Sequence, residues 1–241
     1  MGRVTWALIA INVIVFELIF SMPEPMMNAA FGALSFSSPL FFELWRLVTS
    51  LFLHASASHL FFNMLGLYFF GKITEEQMDR KRFVLLYFIA GIVGSLIYGF
   101  TSADPAVGAS GCVFGLMGYA MLMNPKKTIR MYTIPLPLGM IAIIYAIVES
   151  MLVYFGDVMS GVAHITHVTG MIVGALFAFH SSAKKASKGI LWLILFLFIL
   201  IALGPILGII LWIGNLVLGA VDVIVGFVLY GIAKLIGIIL W

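Results

Sequence analysis

Ser110 stands among small residues, Gly108-Ala109-Ser110-Gly111, and His167 opens the run His167-Val168-Thr169-Gly170-Met171-Ile172-Val173-Gly174. A serine hydroxyl is a weak nucleophile until a neighbouring base takes its proton, and the imidazole pKa suits that task. His59 and Asn63 are four residues apart and share one face of a helix. A serine at a helix start also exposes free backbone N–H groups and the positive end of the dipole. An oxyanion forming there would gain donors from the Ser110 N–H, the Asn63 amide and His59. Losing one such donor typically costs about 2.7–4 kcal/mol of transition-state stabilisation. His54 lies just before this group, and His164 lies three residues before His167.

The elements that hold these residues are membrane helices. Of 241 residues, 63% are hydrophobic and 10% are charged, against about 25% charged in soluble domains. Crossing the hydrocarbon layer takes roughly 20 apolar residues per helix. The apolar runs are Thr5–Ser21, Ser58–Phe70, Arg82–Phe100, Ala109–Met123, Met131–Phe155, Val162–His180 and Gly189–Ile213, with a last stretch Asn215–Trp241 that carries Asp222 and Lys234. The second and fourth runs are short for lipid and need protein around their outer ends. Met1-Gly2-Arg3 leads straight into the first run and no cleavage site follows, so an uncleaved first crossing is expected. Cys112 is the sole cysteine, which excludes an intrachain disulfide. The net charge of +3 is small and the cations sit in short clusters between apolar runs. That argues against nucleic-acid binding and for contact with anionic headgroups.

Lys72, Arg80, Lys81 and Arg82 fall in the second connection, Lys126, Lys127 and Arg130 in the fourth, and Lys184, Lys185 and Lys188 in the sixth; the odd connections hold one cation, Arg46. By the positive-inside rule the N-terminus and even connections face the cytoplasm. The second, fourth and sixth crossings then all run inward, and their polar residues gather a turn or two below the outer surface. Polar side chains in lipid are expensive and mark function by default. Gly111 and Gly115 on the fourth crossing, and Gly170 and Gly174 on the sixth, form small-residue stripes that allow close helix approach. Packing through them brings Ser110 within reach of His167. The first connection, residues 22–57, is rich in apolar groups and is expected partly in the interfacial layer.

These residues resemble the rhomboid family of intramembrane serine proteases. Trp45-Arg46 resembles the family's WR pair, His54, His59 and Asn63 its second-helix motif, Gly108 to Gly111 its GxSG motif, and His167 to Gly174 its HxxGxxxG motif. The resemblance covers about residues 1–182. It implies an all-α, six-helix core, a Ser110–His167 dyad without a third acid, an oxyanion site at Asn63 and His59, and transmembrane substrates cut near their outer ends. The fifth helix, with Pro135 and Pro137 near its inner start, would flank the route of substrate entry. Phe114 stands where many members have tyrosine; the ring is kept and the hydroxyl is not. Residues 183–241 are expected to add one crossing and a final helical hairpin or interfacial helix.

Other readings weigh less. His164 lacks the glycine stripe at the required offsets, so His167 is favoured as base. Four histidines suit a metal, but that leaves Asn63 and Ser110 unexplained; no metal and no cofactor is expected. Arg46 and Trp45 are read as anchors of the first loop, His54 as a structural neighbour. The rival functions are an inactive relative that binds transmembrane helices and a small transporter, the latter disfavoured because the polar groups collect at one depth. The expected setting is a prokaryotic cell membrane, with lipid and transmembrane proteins as partners.

Overall fold

The computed structural model describes residues 2–37, 42–102, 104–131, 134–155 and 164–239. The chain forms two compact units, Met1–Ile194 and Leu195–Trp241. In the first, α1 (Arg3–Phe20) and α2 (Glu24–Leu34) precede a short α3 (Arg46–Thr49) that runs on into a 3₁₀ turn, Ser50–Phe52. The second crossing is α4 (Ala57–Gly66) with a π-turn, Leu67–Gly71, and the connection after it opens with a short α5 (Lys72–Glu75). Then come α6 (Arg80–Thr101), α7 (Ser110–Met123), a hairpin of β1 (Thr128–Met131) and β2 (Ile134–Pro137), α8 (Leu138–Phe155) and α9 (His164–Ile239). Helix α9 departs from helical geometry at Ser182. The apolar helices make this an integral membrane protein; Arg3–Phe20, Arg80–Thr101 and His164–Leu203 are each long and apolar enough to cross a bilayer.

Helix ends follow local chemistry. The Ser56 hydroxyl accepts the His59 N–H and caps α4, and the Asp79 carboxylate does the same for the Arg82 N–H at α6; such caps satisfy donors that the helix cannot. The N-terminus of α1 is capped from a distance. Glu75 accepts the Val4 and Thr5 N–H groups at 2.9 and 2.8 Å and the Thr5 hydroxyl at 2.7 Å. These bonds join the start of the first crossing to α5, which carries the helix beyond Phe70, where the apolar run ends, and into the connection.

The hairpin corrects the expected start of the fifth crossing at Met131. In Ile134-Pro135-Leu136-Pro137 each proline holds the preceding residue extended and offers no N–H to a helix. Thr128 pairs with Pro137 and Arg130 with Pro135, and the helix begins at Leu138. Its first amides turn back, Leu138 N–H to the Lys127 carbonyl and Gly139 N–H to that of Pro125. The expected start of the sixth crossing at Val162 lies outside the described residues.

Helix α7 is the axis of the core. Every residue from Gly111 to Ala120 is buried, which is why 14 residues suffice where lipid would demand roughly 20. Glycines set the spacing around it. A Cβ on Gly170 would strike the Gly111 carbonyl oxygen, one on Gly174 the Gly115 oxygen, and one on Gly118 the Met171 oxygen. Helices α7 and α9 therefore meet backbone to backbone. Helix α6 closes the third side: Gly91 faces Cys112, and the Thr166 hydroxyl donates to the Gly94 carbonyl at 3.3 Å.

The first unit extends past residue 182 to Ile194. Ala186 is buried, Gly189 abuts the Leu122 carbonyl, and Lys126 sits 4.5 Å from the centre of the Trp192 ring. In the second unit the helix continues through Asn215 without a turn, so the described residues hold no hairpin there.

Candidate active site

The first loop is built around Arg46. Its guanidinium donates to the Gly32 and Ser35 carbonyls at 2.6 and 3.0 Å and pairs with Glu43 at 2.6 Å. Thr49 adds a bond to the Leu34 carbonyl. Trp45 is 55% exposed; its carbonyl accepts the Val48 and Thr49 N–H groups at the start of α3. One side of this connection is buried through Leu47, Leu51 and Leu53, and the other leaves Phe42 and Leu44 exposed.

That loop holds the segment before the serine. Phe36 and Ala106 exchange backbone hydrogen bonds, and Gly108 N–H donates to the Ser50 carbonyl at 2.9 Å. Gly108 takes φ of +117°, a conformation open to glycine and costly for other residues. A Cβ there would come within 2.8 Å of the His59 ring at Cε1 and Nε2. Glycine thus serves two needs at once: the turn into α7 and the seat of the His59 ring.

Ser110 is the first residue of α7, and the residue before it, Ala109, offers no capping side chain. The first-turn amides of such a helix have no partner within it. His59 receives the Ala55 N–H at Nδ1 over 3.4 Å, which assigns the proton of its neutral ring to Nε2. The Asn63 amide donates to the His59 carbonyl at 2.9 Å, which leaves a second amide hydrogen for other use. His167 is buried, with its ring stacked on Phe114 at 4.2 Å and 6°. His164 meets that ring edge-on at 5.9 Å.

Ser110, His167, Asn63 and His59 all line one cavity of about 470 Å³, together with Gly108 and Phe114. Among the described residues His164 and His54 do not line it. Gly111 and Gly170 sit in the α7–α9 contact beside it, Gly174 one turn deeper. His54 is buried with its ring 5.1 Å from that of His59. Burial first, and the adjacent His59 second, lower its pKa to about 4, so it is neutral at ordinary pH. No group of three His, Cys, Asp or Glu side chains able to hold a metal occurs among the described residues.

Several lining residues carried no recognisable signal in the sequence. Tyr145 of α8 lies edge-on to Phe114 at 5.8 Å. Ser50, Ser95 and Thr166 give the cavity polar walls, while Gly66, Val113 and Met117 give it an apolar floor. Val113 and Met117 fall three and seven residues after Ser110, a same-face helical spacing and the one clue available beforehand.

The sequence model of the rhomboid domain matches residues 42–184, more than half of the chain. The chain belongs to the rhomboid family. This rhomboid is similar to the rhomboid protease GluP of Bacillus subtilis (strain 168), at 32% identity over 188 residues, 76% of this chain and 35% of that protein. It is also similar to the rhomboid protease GlpG of Yersinia pestis (strain Pestoides F), at 28% identity over 151 residues, 63% of this chain and 53% of that one. The rhomboid chain spans between about a third and a half of the length of these relatives.

Proposed function

We propose that this rhomboid is an intramembrane serine endopeptidase that cleaves transmembrane segments of other proteins near their outer ends. The observation that carries the reading is the single cavity shared by Ser110, His167, Asn63 and His59. The names of the similar proteins, both proteases, support it.

In the proposed reaction Ser110 Oγ attacks the scissile carbonyl carbon while the His167 ring takes the hydroxyl proton. The carbonyl oxygen becomes an oxyanion, held by the Ser110 N–H, the Asn63 amide and the His59 Nε2–H. Collapse breaks the C–N bond; His167 returns its proton to the leaving amine, and Ser110 keeps the acyl group. Water then attacks the ester as His167 takes one of its protons, and the acid is released with Ser110 restored. The Phe114 platform fixes the imidazole in place of an acidic third partner. No cofactor takes part.

The basic connections favour an N-terminus in the cytoplasm and a cavity that opens toward the outer face, in a prokaryotic cell membrane. Residues 1–182 form the proposed catalytic core.

A fluorophosphonate probe applied to the detergent-solubilised protein tests the assignment. Labelling is expected on the parent chain, lost in Ser110→Ala and greatly reduced in His167→Ala. Equal labelling of all three would end the protease reading; a folded parent chain that is never labelled would favour an inactive helix-binding relative.

A further inference from the structure

The connection between the second and third crossings carries more charge than its ion pairs consume. Its acids are all engaged: Glu75 caps α1, Glu76 accepts Lys127 Nζ at 2.7 Å, and Asp79 pairs with Arg82 at 3.3 Å. Lys72 lies 5.9 Å from the centre of the Tyr68 ring. Arg80 and Lys81 are exposed, and among the described residues neither meets a carboxylate. Directly beneath them on α6 lie Val84, Leu85 and Phe88, which with the two cations line a shallow surface groove of about 460 Å³. Leu85 is 52% exposed, and Phe88 rests against Phe52.

The order of these residues along α6 has a direction. Positions 80, 84 and 88, and 81 and 85, follow one another at one-turn spacing on a single face. Eight residues of helix cover about 12 Å. A twofold positive charge sits at the membrane surface end and an open apolar track runs from it toward the hydrocarbon. An anion with an attached acyl chain matches both halves; a free anion matches only the first, and a neutral lipid only the second.

We propose that Arg80, Lys81, Val84, Leu85 and Phe88 bind one anionic phospholipid, its phosphate on the two cations and an acyl chain along the apolar track. The site lies on the outward face of α6, apart from the cavity of Ser110. Uncompensated cations next to a headgroup layer attract anionic lipid, and here the local acids have been withdrawn from competition.

The test is native mass spectrometry of the full chain in neutral detergent, titrated with dioleoylphosphatidylglycerol. A retained one-to-one adduct is expected. Arg80→Gln/Lys81→Gln should weaken it about 30-fold, from the loss of two surface cations, and Leu85→Gln should weaken it while both charges remain. Lys184→Gln/Lys185→Gln, in another basic cluster, should leave it unchanged. The proposal is overturned if the 80/81 variant binds as the parent does, if the 184/185 variant loses as much, or if dioleoylphosphatidylcholine binds equally well. It is also overturned if glycerol 3-phosphate, which has no acyl chain, competes at equal concentration. Unchanged melting temperatures without lipid would show that the variants are folded.

Discussion

The rings of Phe114 and His167 lie face to face, their centroids 4.2 Å apart and their planes 6° from parallel. One ring comes from α7, one turn below Ser110, and the other from α9. Stacking of this kind contributes about 0.5–1.5 kcal/mol beyond the area it buries. Here it also limits rotation of the imidazole. Phe114→Ala is expected to lower kcat by about tenfold, the equivalent of 1.4 kcal/mol, with a smaller change in KM. Phe114→Tyr keeps the ring and should stay within about threefold of the parent rate. Cleavage of a single-span substrate in liposomes measures both; equal rates for Ala and Phe would remove the platform role.

Close packing of α7 and α9 predicts a steep cost for one methyl group. A Cβ on Gly174 would lie 2.7 Å from the Tyr119 amide nitrogen as well as against the Gly115 carbonyl. Backbone atoms cannot swing aside as a side chain can. Gly174→Ala and Gly170→Ala should each destabilise the fold by about 1–3 kcal/mol, the usual range for overpacking. Gly32→Ala, which would meet nothing within 4 Å, is the control. Thermal unfolding in detergent reads the difference, and three equal melting temperatures would contradict the packing account.

Two groups outside the crossings make stability depend on pH in separable windows. The folded pKa of His54 is lowered from 6.5 to about 4. Between these values the unfolded chain binds a proton that the folded chain refuses, so stability falls as pH drops from 6.5 toward 4, by on the order of 3 kcal/mol in all. The pKa of Glu75 is also lowered: burial pushes it up, but the bonds from Val4 and Thr5 outweigh that. Its contribution is complete above the unfolded value of 4.5 and is lost as pH falls further, through the folded value. His54→Gln should flatten the upper window and Glu75→Gln the lower one. Melting temperatures from pH 7 to pH 3 are the measurement, and a parent curve flat from 6.5 to 4 would refute the His54 account.

Gly66 keeps the floor of the cavity open. A Cβ at this position would stand 2.8 Å from Val113 Cγ1, and any larger side chain would fill the space between α4 and α7. Gly66→Leu is therefore expected to slow cleavage of a transmembrane substrate by at least about tenfold while a small fluorophosphonate still labels Ser110 within about threefold of the parent rate. Equal losses in both assays would mean that the substitution disturbs the serine itself and not the space below it.

How much could be read beforehand depended on how local the cause was. Hydropathy runs located the membrane helices because a bilayer demands a fixed length of apolar chain. Spacing alone put His59 with Asn63, and His167 with Gly170 and Gly174, on common faces, since helical offsets are a property of the backbone. The glycine pairs on α7 and α9 advertised close approach for the same reason. Hidden from that reading were the strand pair before α8, whose ladder joins two separate segments, and the reach of Glu75 across to Val4 and Thr5. The buried state of His54, the seat of the His59 ring on Gly108, and the Tyr145 edge against Phe114 were hidden too. Each of these joins residues far apart in the chain, and no periodicity records which distant surface will arrive. Residue types declared the chemistry within reach; the packing of α4, α7, α8 and α9 chose which side chains share one cavity.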